Sequence, residues 1–122
     1  MQLRCPCGNC IHDGTDCLPY KGYIIPDEDH FPILDGYDAL LERVAERGAV
    51  EDGDYMDVRR NSAPLRQIYQ CSNCGRIFIW DENIEGAFSF KPEDDDINKR
   101  LLMSRKNIAE QDADQAINFG DY

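Results

Sequence analysis

The sequence predicts a small α+β protein: an antiparallel sheet, one main helix inserted between two cysteine knuckles, and a C-terminal helix. Three observations predict it. Two cysteine–glycine turns, Cys5-Pro6-Cys7-Gly8 and Cys71-Ser72-Asn73-Cys74-Gly75, stand far apart in the chain. The second is flanked by runs rich in Ile and aromatic residues, 67–70 and 76–80, which favour strands. Between the two turns lies a stretch in which Phe31, Leu34, Leu41 and Val44 keep helical spacing.

Taken in order, residues 1–17 hold four of the six cysteines, with turn chemistry in Asp13-Gly14-Thr15-Asp16. Tyr20 to Ile25 reads as a strand, broken or bent at Gly22. Asp29 reads as a helix N-cap with Pro32 in the first turn, where a missing N–H costs nothing. Gly48 follows as the helix stop, and Gly36 could divide the helix, leaving a main part over 37–47. Residues 49–64 read as a connection, with Tyr55, Met56 and Val58 in either a short strand or a helical turn. The hairpin over 67–80 comes next, its second strand apolar on both parities and so covered on both faces. Residues 87–90 form a third strand, with Phe88 and Phe90 on one face, and Pro92 stops it. Asp94 to Asp96 can cap a helix from Ile97 to about residue 110.

A chain of 122 residues is one domain with a modest core, so a metal staple would matter. The expected division is a main domain over 1–92 and an appended helix or tail over 93–122. The mean hydropathy is −0.60 and 30% of residues are charged. No apolar run approaches the ~20 residues of a membrane span. The N-terminus has no apolar segment of the signal-peptide kind, so the expected compartment is the cytoplasm.

Six cysteines could form three disulfides in a secreted protein, but C-x-C and C-x-x-C spacings without a signal favour metal ligation. A C-x-x-C turn aims two sulfurs at one point, and a glycine after it lets backbone N–H groups face them. Cys71 and Cys74 meet this pattern. Their partners are Cys5 and Cys7, whose turn shares the Cys-Gly ending, with Cys7 and Cys10 as the alternative pair. The metal expected is a structural Zn2+. A second site from Cys10, His12 and Cys17 would need a fourth ligand such as Asp13 or Asp16. Four thiolates leave no open coordination position, and no other catalytic signature is present, so the chain reads as a non-enzyme.

The net charge of −11 is unevenly distributed. Residues 26–57 carry eleven acids and two basic residues, residues 58–80 four arginines and no acid, and residues 81–96 seven acids and one lysine. Such a chain repels nucleic acid overall and attracts a cationic partner. The candidate partner-binding surface is Asp27, Glu28, Asp29, Glu51, Asp52 and Asp54, with Tyr20, Tyr23, Tyr37 and Tyr55 as possible anchors. Arg59, Arg60, Arg66 and Arg76 offer a local basic patch, the basis of an alternative reading as a nucleic-acid-associated regulator or an adaptor.

The pairing of Cys5-Pro6-Cys7-Gly8 with Cys71-Ser72-Asn73-Cys74-Gly75 resembles the zinc-ribbon class, which implies a zinc-ribbon-like sheet. Over about residues 3–92 the chain also resembles small bacterial cytoplasmic proteins sharing Asp13-Gly14-Thr15-Asp16, Leu18-Pro19-Tyr20-Lys21-Gly22 and Asp27-Glu28-Asp29 ahead of a Cys-x-x-Cys-Gly turn. In size and acidity it is similar to immunity proteins that neutralise polymorphic toxins. That similarity implies a protein partner with a basic surface, a toxin or nuclease domain.

Overall fold

The computed structural model describes residues 1–107. Eight elements follow one another: β1 (Gln2–Arg4), β2 (Cys10–His12), β3 (Lys21–Ile24), α1 (Asp27–Arg47), α2 (Asp52–Asn61), β4 (Arg66–Gln70), β5 (Ile77–Asp81) and β6 (Gly86–Phe90). The class is α+β. β1 and β2 form an antiparallel pair, and the remaining strands form a four-stranded sheet in the order β3-β4-β5-β6. The chain divides into two compact units, one of Met1–Gly22 with the chain from Gln67, the other of Tyr23–Arg66.

In the first unit, the register sets Tyr69 opposite Phe78 and Ile68 opposite Ile79, with Ile79 in turn opposite Phe88. Alternation then puts Tyr69, Phe78 and Ala87 on one face. That face builds the core, where Tyr69 (0% exposed) and Phe78 meet Cys5, Cys71 and Ile11, with Leu3, Tyr20, Cys74 and Ala87 packed around them. The Tyr69 hydroxyl donates to the Asp13 carboxylate, which Lys21 also binds at 2.7 Å. Coverage of β5 on both faces is only partial: Phe78 is buried, while Ile77, Ile79 and Trp80 are half-buried. Phe88 and Phe90 share a face, as expected, but both are exposed.

The other sheet face carries Gln70, which is 1% exposed. Its side-chain amide donates to the Asn98 carbonyl at 2.9 Å and its oxygen accepts the Leu101 N–H at 2.8 Å. These bonds correct the expected helix from Ile97. Residues 97–104 are turns and bends, and helix begins only at Arg105. Asp94 to Asp96 do not cap a helix; instead Asn98 Oδ1 accepts the Arg100 N–H and turns the chain. Residues 108–110 of that expected helix lie outside the described residues.

β3 runs through Gly22 without a break. A Cβ there would stand 3.3 Å from Ile68 and 3.5 Å from Leu102, so this glycine permits close packing.

In the second unit, α1 starts two residues before the expected N-cap. Pro26 precedes it, Asp27, Glu28 and Asp29 fill its first turn where acids favour the helix dipole, and Pro32 lies one turn further in. Gly48 closes the helix in the left-handed conformation (φ 81°), donating to the Val44 carbonyl at 2.8 Å. Gly36 does not divide α1. A Cβ at Gly36 would overlap the Asn61 side chain, whose Nδ2 donates to the Ile33 carbonyl at 2.7 Å. The glycine is a contact point for α2.

That second helix occupies the expected connection and settles Tyr55, Met56 and Val58 as helical. Its start is fixed by Asp54, whose Oδ2 accepts the Glu51 backbone N–H at 2.8 Å.

Candidate metal centre

Two turns of matched construction carry the site. In the first, the Cys5 N–H donates to the Asn9 carbonyl and the Gly8 N–H to the Cys5 carbonyl, both at 2.9 Å. In the second, the Cys71 N–H donates to the Arg76 carbonyl and the Gly75 N–H to the Cys71 carbonyl, again at 2.9 Å. Gly8 and Gly75 have φ of 98° and 84°, a region in which a Cβ would be strained. The first turn is presented by the β1–β2 pair and the second by the β4–β5 hairpin.

These turns bring together Cys5, Cys7, Cys71 and Cys74, whose sulfurs all lie within 4.8 Å of one another. Cys5 Sγ stands 3.4 Å from Cys74 Sγ, and Cys7 Sγ 3.6 Å from Cys71 Sγ. A tetrahedral ion with metal–sulfur bonds of about 2.3 Å would set its sulfurs roughly 3.8 Å apart. The cluster therefore has the size and the soft donor set of a four-thiolate metal site. It is the one such group among the described residues. Cys5 and Cys71 are core residues as well as candidate ligands.

Three polar side chains point at the sulfurs. Asn9 Nδ2 donates to Cys71 Sγ at 3.4 Å and Asn73 Nδ2 to Cys7 Sγ at 3.3 Å. Arg76 Nη1 reaches Cys74 Sγ at 3.6 Å and Cys5 Sγ at 3.9 Å. The Asn73 amide and the Asn9 backbone N–H hold the Cys7 thiol down at about 6. Burial pushes the Cys5 thiol up to about 12. Burial also opposes ionisation of Cys71, but N–H groups of Cys74 and Asn73 and the Asn9 side chain outweigh it and lower its pKa. The surroundings of Cys7 and Cys71 thus favour thiolate, while burial of Cys5 opposes it.

The alternative ligand Cys10 lies outside the cluster, on β2, where Gln2 Nε2 approaches its sulfur at 2.7 Å. Cys17 and His12 are exposed and join no metal-binding group among the described residues. Nothing in the sequence pointed to Asn9, Asn73 and Arg76 as sulfur donors. Their positions inside or next to the two turns were the available signal.

The acidic residues fall differently from expectation. Asp27, Glu28 and Asp29 stand at the start of α1, and Glu51, Asp52 and Asp54 beyond its end. A 21-residue helix is about 30 Å long, so these are two groups and not one patch. Asp54 is a correction. It is 5% exposed and bound by Arg43 (2.6 Å) and Arg47, so it cannot face a partner. Glu51 also pairs with Arg47. Tyr20 and Tyr37 are structural, donating to the His12 carbonyl and bonding Ser62 respectively, whereas Tyr23 and Tyr55 are exposed. Of the four arginines, Arg76 is engaged by sulfur and Arg60 pairs with Asp57. Among the described residues no helix is long and apolar enough to cross a membrane.

The fold and the cluster together define an α+β protein built around a four-cysteine centre capable of holding a metal ion. Residues 1–94 match the family model described as Domain of unknown function (DUF8617), and the chain belongs to that family. No curated protein and no solved structure matches it.

Proposed function

We propose that the cysteine cluster holds one structural zinc ion and that the protein is a non-enzymatic binding protein for a basic protein surface. The fitting partner is a toxin or nuclease domain, which the chain would neutralise in the manner of an immunity protein in the cytoplasm. The zinc reading is supported by the all-thiolate donor set and the sulfur spacing. Four thiolates fill the coordination of zinc, so the ion would act as a staple and not as a Lewis acid toward substrate.

One observation carries the partner reading. Arg43 and Arg47 are the only arginine or lysine residues of α1, and both are turned onto Asp54 and Asp57 of the next helix and its N-cap Glu51. The acids of α1 itself, from Asp27 to Glu46, have no ion-pair partner among the described residues. Uncompensated charge of one sign steers an oppositely charged partner and speeds its association.

The test is metal analysis of the purified chain together with affinity capture at low salt. One zinc per chain and a captured basic toxin or nuclease that loses activity at equimolar ratio would support the reading. Iron in place of zinc would overturn the first half, and a captured partner with an acidic surface the second.

A further inference from the structure

The outward face of α1 combines apolar and acidic residues in a regular order. Phe31, Leu34 and Leu41 are 67%, 43% and 68% exposed. At 3.6 residues per turn, Phe31, Asp38 and Ala45 fall in one row, seven residues apart, with Leu34 and Leu41 in the next. Glu28, Asp35 and Glu42 form a third row along the border of the stripe, all exposed. The inward row is a different set, with Ile33 buried and Tyr37, Leu40 and Val44 half-buried. The exposed stripe is therefore not the edge of the unit's own core. From Phe31 to Ala45 it has the layout of a coiled-coil seam: apolar a and d positions, interrupted by one acid at Asp38, with Asp27 at the d position before them and acids at every e position.

We infer that this face is a docking seam for a basic amphipathic helix of the partner protein. This rests on the reading of the chain as a binder of basic surfaces and gives that binding a specific site. The occupant follows from charge. A helix pairing along the stripe would meet Glu28, Asp35 and Glu42 at its flanking positions, where Lys or Arg pairs favourably and Glu or Asp is repelled. It would also meet Asp38 within the apolar layer, which calls for a cation at one seam position. A second copy of this chain fits poorly. Antiparallel pairing would set one acidic row against the other, and parallel pairing would set Asp38 against Asp38.

The seam can be tested with the full zinc-loaded chain and labelled peptides of the length of α1, 21 residues. One peptide carries Leu at its seam positions, Arg at its flanks and one Lys opposite Asp38. A second has the same composition in an order without a seam, and a third has Glu in place of Arg. Fluorescence anisotropy should show the first bound at least tenfold more tightly than the second. Leu34→Ser with Leu41→Ser, both at exposed positions, should weaken it tenfold or more. Glu28→Lys, Asp35→Lys and Glu42→Lys together should reverse the preference toward the Glu peptide, a gain that misfolding could not mimic.

If both Arg peptides bind equally and the Leu34/Leu41 variant matches the wild type, the seam is refuted while the basic-partner reading stands. If the wild type retains neither Arg peptide at low salt, both fail. A concentration-dependent dimer that Leu41→Ser dissociates would make the occupant a second copy and overturn the proposal.

Discussion

Gly8 and Gly75 occupy equivalent points in the two cysteine turns: each is left-handed, and each donates its N–H to the carbonyl of the first cysteine of its turn at 2.9 Å. The equivalence holds although one turn is C-x-C and the other C-x-x-C. The extra residue of the second turn lies between the cysteines, and the backbone closure around them is the same. Each turn can therefore be seated on its own strand pair and still present its sulfurs to a common point.

Their surroundings separate them. Around Gly8 a Cβ would meet nothing within 4 Å, whereas at Gly75 it would run into Ile97 at 2.5 Å. Gly8→Ala should cost only the left-handed strain, about 1–2 kcal/mol. Gly75→Ala should cost clearly more, because Ile97 must also move. Chemical denaturation of the zinc-loaded pair of variants measures the difference, and equal losses would refute the contact.

Removal of the metal should loosen the unit that contains the cluster, because two of its core residues are candidate ligands and metal binding then contributes directly to folding. A chelator should abolish the cooperative thermal transition of that unit. Cys5→Ser, Cys7→Ser, Cys71→Ser and Cys74→Ser should each reduce metal content, while Cys10→Ser and Cys17→Ser leave one ion per chain. Mass spectrometry under native conditions reads the stoichiometry.

Arg76 and Asn73 should tune metal retention without being ligands. Arg76 offsets part of the negative charge that four thiolates bring to a divalent ion, and Asn73 donates to the exposed Cys7 sulfur. Arg76→Gln and Asn73→Ala should each weaken zinc binding by about 10- to 100-fold, the usual range for groups that orient ligands. Competition with a chromophoric chelator gives the affinity. An unchanged value for Arg76→Gln would show that its contact with sulfur carries no energy.

Acid should release the metal. Cys7, held at about 6 first by the Asn73 amide, is a thiolate at neutral pH, whereas Cys5, raised to about 12 by burial, must give up its proton when the ion enters. Loading therefore liberates protons, and affinity falls as pH falls, by about tenfold per pH unit for each proton displaced. Zinc titrations at pH 8, 7 and 6 should show this trend.

The Asp13 carboxylate should set the acid limb of stability. Its pKa lies below the ordinary range, chiefly through the Lys21 hydrogen bond and next through Tyr69. A lowered folded-state value means a stabilisation fully present above the unfolded value of about 3.9 and lost as pH falls through the folded one. Asp13→Asn should flatten that limb. Tyr69→Phe should cost about 1.5–3 kcal/mol, the worth of a hydrogen bond to a charged group.

Much of the site was legible because its signals are local. The C-x-C-G and C-x-x-C-G spacings are turn geometries written in consecutive residues, and they singled out the four cysteines whose sulfurs meet. The strands from residue 66 to 90 were legible for the same reason. What was missed depends on partners distant in sequence. β1 and β2 are three residues each, too short to show alternation, and exist as a pair closed by the first cysteine turn. Gly36 reads as a helix breaker until Asn61 is seen beside it. The second helix begins with Glu51-Asp52-Gly53-Asp54, which has the composition of a loop, and only the Asp54-to-Glu51 bond makes it a start signal. The stretch after residue 96 has helical spacing, yet the buried Gln70 amide recruits the Asn98 and Leu101 backbone into turns.

That recruitment has a bearing on where the chain can be cut. The family match ends at residue 94, yet Ile97 leans on Gly75, and Asn98 and Leu101 satisfy a glutamine walled off from water. A chain trimmed to the family boundary would uncover the back of the second cysteine turn and take from the Gln70 side chain its Asn98 and Leu101 partners, leaving the Gly75 carbonyl. Homologous sequences that keep a polar residue at the Gln70 position would then be expected to carry their own downstream strap, however little its residues resemble these. The unit that evolution repeats and the unit that must be expressed need not share an endpoint.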